Sequence, residues 1–256
     1  MVSLHNMETN INIIDEAEIS AVINAGFIIV NKTHPIIDAA KFLNEHFRGL
    51  ELHTLLSELN TKLKLAETEK MNRDIILAND PPQLVIEIEY VDEVNLQNQL
   101  NLKRVFSFDE QGQLYAEHEY LSLPPYLRKK RIGKGILSAF MKQYEKIGVK
   151  RIKILAALED GGYVWAKVGF KALERSEVSE ILAKSFSQLD SNRFNQVKKI
   201  YDLHYLNPET MDKPFAMQDW ADLKFMEGIL KNTIWHGEID LTDQKEFDNF
   251  KEYVSN

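Results

Sequence analysis

Leu121-Ser-Leu-Pro-Pro-Tyr-Leu-Arg-Lys-Lys-Arg-Ile-Gly-Lys-Gly-Ile-Leu137 reads as the end of a strand, a cation-rich loop and the start of a helix. Amides at a helix N-terminus lack intrahelical partners, and Gly133 and Gly135 leave the main chain open to a bulky anion that a Cβ would obstruct. Arg128, Lys129, Lys130, Arg131 and Lys134 gather positive charge at the same spot. The pattern predicts a phosphate cradle, with an ordinary basic turn before a helix as the alternative. The stronger phosphate-loop pattern, GxxxxGK[ST], is absent.

The flanks bear on that choice. Downstream, Ile136, Leu137, Phe140, Met141 and Tyr144 fall on one helical face, Gly148 is placed to end the helix, and Arg151-Ile-Lys-Ile-Leu-Ala-Ala157 reads as a strand. Upstream, residues 83–90 alternate apolar and polar, and 103–109 and 113–123 flank the turn Asp109-Glu-Gln-Gly112 as a hairpin, giving a three-strand meander. Strand, loop, helix and strand across 113–157 predict a right-handed crossover that sets strands 113–123 and 151–157 parallel and adjacent. The loop then lies at the carboxyl end of a strand, where open α/β sheets bind ligands. This placement favours the cradle.

The ends of the chain differ in character from this middle. Spaced apolar residues over 11–23, a helix opened by Pro35 and running to Phe47, and a third over 50–65 make the first third mainly helical, with Gly26-Phe-Ile-Ile-Val30 as its strand. Asn79-Asp-Pro-Pro82 punctuates. Helices are predicted near 174–188, 191–204, 216–231 and 244–254, the last capped at Asp240-Leu-Thr-Asp243, with a late strand over 235–241.

A net charge of −8, from 31 Lys and Arg against 39 Asp and Glu, argues against nonspecific nucleic-acid binding, which requires dense positive charge over a large face. The basic loop is a local exception. With 0 cysteines there are no disulfides, thiolate metal ligands or cysteine nucleophile. The histidines show no close pair at metal-ligand spacing, so no metal is expected. Apolar runs such as residues 154–158 are far short of a membrane span, and a soluble cytoplasmic protein is the expectation.

Residues 83–173 resemble the GNAT superfamily of N-acetyltransferases, whose acetyl-CoA signature is Arg/Gln-x-x-Gly-x-Gly/Ala between a strand and a helix. Lys130-Arg-Ile-Gly-Lys-Gly135 keeps both glycines but begins with lysine; Ile132-Gly-Lys-Gly-Ile-Leu137 fits the helix phase and loses both end residues. Gly169-Phe170, after Trp165-Ala-Lys-Val168, resembles the aromatic-x-x-x-Gly-Phe hallmark closing the family's next helix. The resemblance implies an α/β (α+β) fold. Its sheet would be mixed and mostly antiparallel with a central, splayed parallel pair, flanked by mainly helical extensions at 1–80 and 174–256 around a core at 81–173.

The resemblance also implies acetyl-CoA or another acyl-CoA as co-substrate and an amine acceptor, with direct transfer in a ternary complex. Backbone groups of Leu121, Ser122 and Leu123 would pair with the pantetheine arm, and the amides of Arg131, Ile132, Gly133, Lys134, Gly135 and Ile136 would hold the pyrophosphate. Glu117 stands where some members place the base that deprotonates the amine, with Glu119 on the same strand face as second candidate and His118, on the other face, as third. Two neighbouring carboxylates could raise one pKa toward neutrality, although alternating charges also suit a solvated strand face. Trp165 occupies the place where many members carry a tyrosine acid. Tyr163 is the nearest hydroxyl for that role, or else a core aromatic. The helical extensions would shape the acceptor site or make a homodimer contact, and the acidic balance suits a cationic acceptor. A catalytically inactive CoA-binding sensor or scaffold, and a protein-interaction module, are the alternatives.

Overall fold

A computed structural model describes residues 12–63, 71–91, 99–128 and 130–255. The parts of the predictions that involve Ile11, Leu65 and Lys129 lie outside the described residues. The fold is mixed α/β with one nine-stranded sheet of parallel and antiparallel pairs, flanked by helices. Contacts divide the chain into two compact units, residues 1–103 with 121–148, and residues 104–120 with 149–256.

The first unit opens with α1 (Glu16–Asn24), β1 (Ile28–Asn31), α2 (Ala39–His46) and α3 (Leu52–Leu63). Pro35 does not start α2: Thr33 Oγ1 accepts from the Ile37 amide at 2.8 Å, and Asp38 caps the helix by accepting from the Lys41 amide at 2.9 Å. β2 (Asn72–Asn79) and β3 (Pro82–Val91) form an antiparallel hairpin, and β1 joins β2 in parallel. β2 is a second strand, not predicted, within residues 1–80. Only Ile75 and Leu77 carry its inward face, after the charges of Arg73 and Asp74, so its strand character comes from partners on both edges rather than from alternation.

This unit also holds the end of the quoted stretch, where α4 (Ile132–Ile147) begins. Ile136, Leu137, Phe140, Met141 and Tyr144 are all buried, and Gly148, at φ 74°, closes the helix with its amide on the Tyr144 carbonyl. Helices α3 and α4 pack together, tied at the surface by Lys142 to Glu58 at 2.9 Å and in the interior by the buried Gln143 side chain, which accepts from the amide of Glu51 just before α3 at 3.0 Å.

β4 (Gln99–Phe108) and β5 (Leu114–Ser122) each begin or end in the first unit and run through the second. Their hairpin turn is as predicted: Asp109 accepts from the amides of Gln111 and Gln113, and Gly112 takes φ 73°. β6 (Arg151–Ala156) pairs in parallel with β5, from Tyr115↔Arg151 to His118↔Ile154. α5 (Leu158–Val168), β7 (Lys171–Ala172), α6 (Arg175–Gln188), α7 (Ser191–Tyr205) and β8 (Phe215–Ala216) follow.

The helix predicted over 216–231 is broken into α8 (Met217–Ala221), a 3-10 turn at Lys224–Met226 and α9 (Glu227–Leu230). A continuous helix starting from buried Met217, Trp220 and Ala221 would carry Lys224 and Gly228 onto the inner face; the break instead buries Met226, Ile229 and Leu230. β9 (Trp235–Asp240) inserts antiparallel between β6 and β7, so the C-terminal region supplies strands of the sheet as well as helices. α10 (Gln244–Ser255) starts at Asp243, which accepts from the Lys245 and Glu246 amides, and buries Phe250 and Val254.

Candidate functional site

In the first unit, β5 ends at Ser122, a 3-10 turn occupies Pro125–Leu127, and Arg131 precedes α4 with φ 61° and ψ 11°. Left-handed backbone is uncommon for a residue with a Cβ and clusters at ligand clamps. A left-handed residue followed by right-handed helix is also the backbone form that turns successive amides into an anion-binding concavity. Arg128, Lys130 and Arg131 are exposed and Lys134 is half-buried. The Arg128 side chain folds back, its Nε donating to the Leu123 carbonyl at 2.9 Å.

The two glycines are used differently. A Cβ on Gly135 would lie 3.1 Å from Cδ and Cε of Lys62, so this glycine makes room for a lysine stem from α3. At Gly133 a Cβ would meet only Leu121 Cδ2, at an ordinary 3.8 Å. Among the described residues no packing requires Gly133, although glycine costs a helix up to about 1 kcal/mol against alanine. Lys62 also ends a groove along α3 lined by His53, Thr54, Ser57, Glu58 and Thr61. Sequence reasoning did not link Lys62, more than seventy positions away, to the loop.

In the second unit, β5 shows its two faces in alternation. Ala116 and His118 are buried, while Tyr115, Glu117 and Glu119 are half-exposed on the other side. Glu117 is the register partner of Lys153 on β6, whose ammonium sits 4.1 Å from the Tyr115 ring centre, and Lys153 pairs onward with Glu238 of β9. Burial pushes the Glu238 carboxyl up from its ordinary value against the pull of Arg151 and Lys153. The parallel register ends at His118↔Ile154, while β5 continues to Ser122 and β6 to Ala156.

His118 does not stand beside the two carboxylates. Its ring lies 5.9 Å from Trp165 and 6.5 Å from Phe170, and burial, with the positive charge of Arg104, holds its pKa well below 6.5. An imidazole enclosed in this way cannot reach an acceptor. Because Trp165 meets His118, α5 packs on the sheet face away from Glu117. Tyr163, half-buried on that helix, has the Lys231 ammonium 6.0 Å from its ring centre. Glu117 and Tyr163 therefore lie on opposite sides of the sheet.

One pair escaped sequence reasoning. His236 Nδ1 is 2.7 Å from Glu177 Oε1, and the other carboxylate oxygen accepts from the His236 amide at 2.8 Å. Fifty-nine positions separate these residues, and no motif joins them. Among the described residues no group of three or more acidic or histidine side chains could hold a metal ion, and no helix is long and apolar enough to cross a membrane. In comparisons with known proteins, the chain matches no family model and no curated protein.

Proposed function

We propose that this chain is a GNAT-type N-acyltransferase that moves an acetyl or other acyl group from acyl-CoA to an amine, by direct attack in a ternary complex in the cytoplasm. The observation that carries this reading is the course of β5: its parallel register with β6 stops at His118, and the strand runs on to Ser122 before the loop that leads into α4. Strand backbone released from its neighbour offers amides and carbonyls to the pantetheine arm, which is itself peptide-like. Ahead of it, the left-handed Arg131, the amides of residues 131–134 at the start of α4 and the surrounding cations suit a pyrophosphate; the Gly135 amide, assigned to the cradle from the sequence, instead donates to the Arg131 carbonyl at 3.0 Å, and the Ile136 amide lies one residue deeper in the helix.

Glu117, on the open face of the same strand, takes a proton from the acceptor ammonium, and the freed amine attacks the thioester carbonyl. A cationic amine such as a polyamine, a lysine side chain or an aminoglycoside fits a chain with a net charge of −8.

The position of Tyr163 against Lys231, away from Glu117, favours a second reading in which the fold binds CoA without catalysing transfer. Calorimetric titration with acetyl-CoA tests donor binding, with a dissociation constant in the micromolar range expected. An absence of binding sinks both readings, and binding without thiol release across an amine panel leaves only the second.

A further inference from the structure

His236 is anchored as a proton-transfer group is anchored. Glu177, on α6, uses one carboxylate oxygen on Nδ1 at 2.7 Å and the other on the backbone amide at 2.8 Å, fixing both the ring and the strand that carries it. When the imidazole is neutral, a carboxylate on Nδ1 keeps the proton there and leaves Nε2 as the acceptor. The ring is not packed away: 57% of the His236 side chain is exposed, against 20% for Glu177.

Its place in the sheet gives the dyad a direction. His236 is the second residue of β9 and the register partner of Leu155, one residue beyond the last β5–β6 pair. Adjacent strands lie about 4.8 Å apart, so the opening between β5 and β6 begins about one strand spacing from His236. By alternation His236, Leu155 and Glu119 share one face, which is also the face of Glu117. Exposed Leu155 flanks the imidazole on one side; on the other is exposed Leu173, whose amide donates to the His236 carbonyl at 2.9 Å. The result is a carboxylate-oriented imidazole on an apolar rim beside the opening of the parallel pair.

We infer that His236, oriented by Glu177, is the proton shuttle of this site. The inference rests on the acyl-transfer reading and supplies the acid that neither Trp165 nor Tyr163 provides. An ammonium acceptor must lose two protons to become an amide. Glu117 takes the first and later gives it to water. The amine nitrogen attacks, the C–N bond forms, and Nε2 of neutral His236 takes the second proton from the tetrahedral adduct. The C–S bond then breaks with its electron pair going to sulfur, and the imidazolium returns that proton to the thiolate, giving amide, CoA thiol and one proton to solvent. His236 touches the reacting atoms; Glu177 is a positioning residue.

The test uses the full chain with acetyl-CoA and spermidine, Nα-acetyl-lysine and kanamycin as probe amines, following thiol release. His236→Gln is expected to lower kcat about 100-fold or more while the acetyl-CoA dissociation constant stays within about twofold. Raising the pH supplies neutral amine and is expected to rescue Glu117→Gln but not His236→Gln. Free imidazole is expected to restore part of the rate of His236→Ala. Long-range proton–nitrogen NMR is expected to show His236 as the Nδ1–H tautomer, lost in Glu177→Gln. The opposite tautomer, a His236→Gln variant within about threefold of the parent, or acetyl-CoA bound with no thiol released for any amine would each overturn the shuttle. Failure of the parent chain to bind acetyl-CoA is a separate result, and it overturns the acyl-transfer reading itself.

Discussion

The imidazole of His118 and the indole of Trp165 meet on the buried side of β5, ring centres 5.9 Å apart at 56°. This contact joins the centre of the sheet to α5 and keeps a titratable group where its charged form is disfavoured. Burial and the Arg104 charge hold the folded pKa well below 6.5, while the unfolded chain takes up the proton near that value. Stability is therefore complete above about pH 6.5 and falls as the pH drops toward the folded value. Urea melts between pH 5 and 8 should show this loss, and His118→Gln should flatten it. An unchanged slope in the variant would assign the acid sensitivity to other groups.

A second contact of α5 is set by the absence of a side chain. A Cβ on Gly162 would stand 2.2 Å from the Leu230 carbonyl oxygen and 2.5 Å from Thr233 Oγ1. The Thr233 hydroxyl is already committed, donating to that same carbonyl at 2.7 Å, so neither neighbour yields without breaking a bond. Gly162→Ala should destabilise the fold by about 1–3 kcal/mol, or lower Tm by several degrees. Thermal melts of the purified variant measure this, and an unchanged Tm would mean that α5 and α9 are not packed so closely.

Gly133 should behave in the opposite way. Among the described residues its Cβ position meets no close contact, so Gly133→Ala should raise helix stability by up to about 1 kcal/mol. On the acyl-transfer reading the same methyl group would stand where a pyrophosphate would approach the backbone, and acetyl-CoA affinity should fall about tenfold or more. A gain in Tm with a loss of binding separates a ligand-facing glycine from a structural one. Equal affinity in the variant would remove the cradle from this loop.

Much of the fold around these residues is legible in the chain because the deciding patterns are local. The alternation in β3, the Asp109 to Gly112 turn, the inner face of α4 and its Gly148 stop each lie within about sixteen residues. The β5–β6 pairing follows from connection rules applied to those elements. β2, β7 and β8 were not legible, since one or two inward residues become a strand only when partners fix them. The candidate site divides along the same line. The loop and the β5 carboxylates are contiguous in sequence, whereas Lys62 over Gly135 and Glu177 on His236 are tertiary contacts with no sequence signature.

Glu238 tests the electrostatics of the open face. Burial raises its carboxyl pKa, so folding favours the protonated form. That preference is fully present below the unfolded value of 4.5 and is lost as the pH rises through the folded value. Glu238→Gln should therefore raise Tm at pH 7 and make little difference near pH 4. A variant less stable than the parent at pH 7 would show that the attraction of Lys153 and Arg151 outweighs burial.

Glu117 is the residue on which the proposed chemistry turns first. It stands on the open face of β5, with Lys153 as its register partner, where the acyl-transfer reading has it meet an incoming ammonium. Glu117→Gln should lower the rate of thiol release about 100-fold near neutral pH and shift the rising limb of the pH–rate profile upward, toward the pKa of the amine itself. Acetyl-CoA affinity should stay within about twofold, because Glu117 lies behind the segment assigned to the donor. An unchanged rate and pH profile would remove Glu117 from the mechanism, leaving Glu119, on the same face and nearer the opening, as the remaining carboxylate for the first proton.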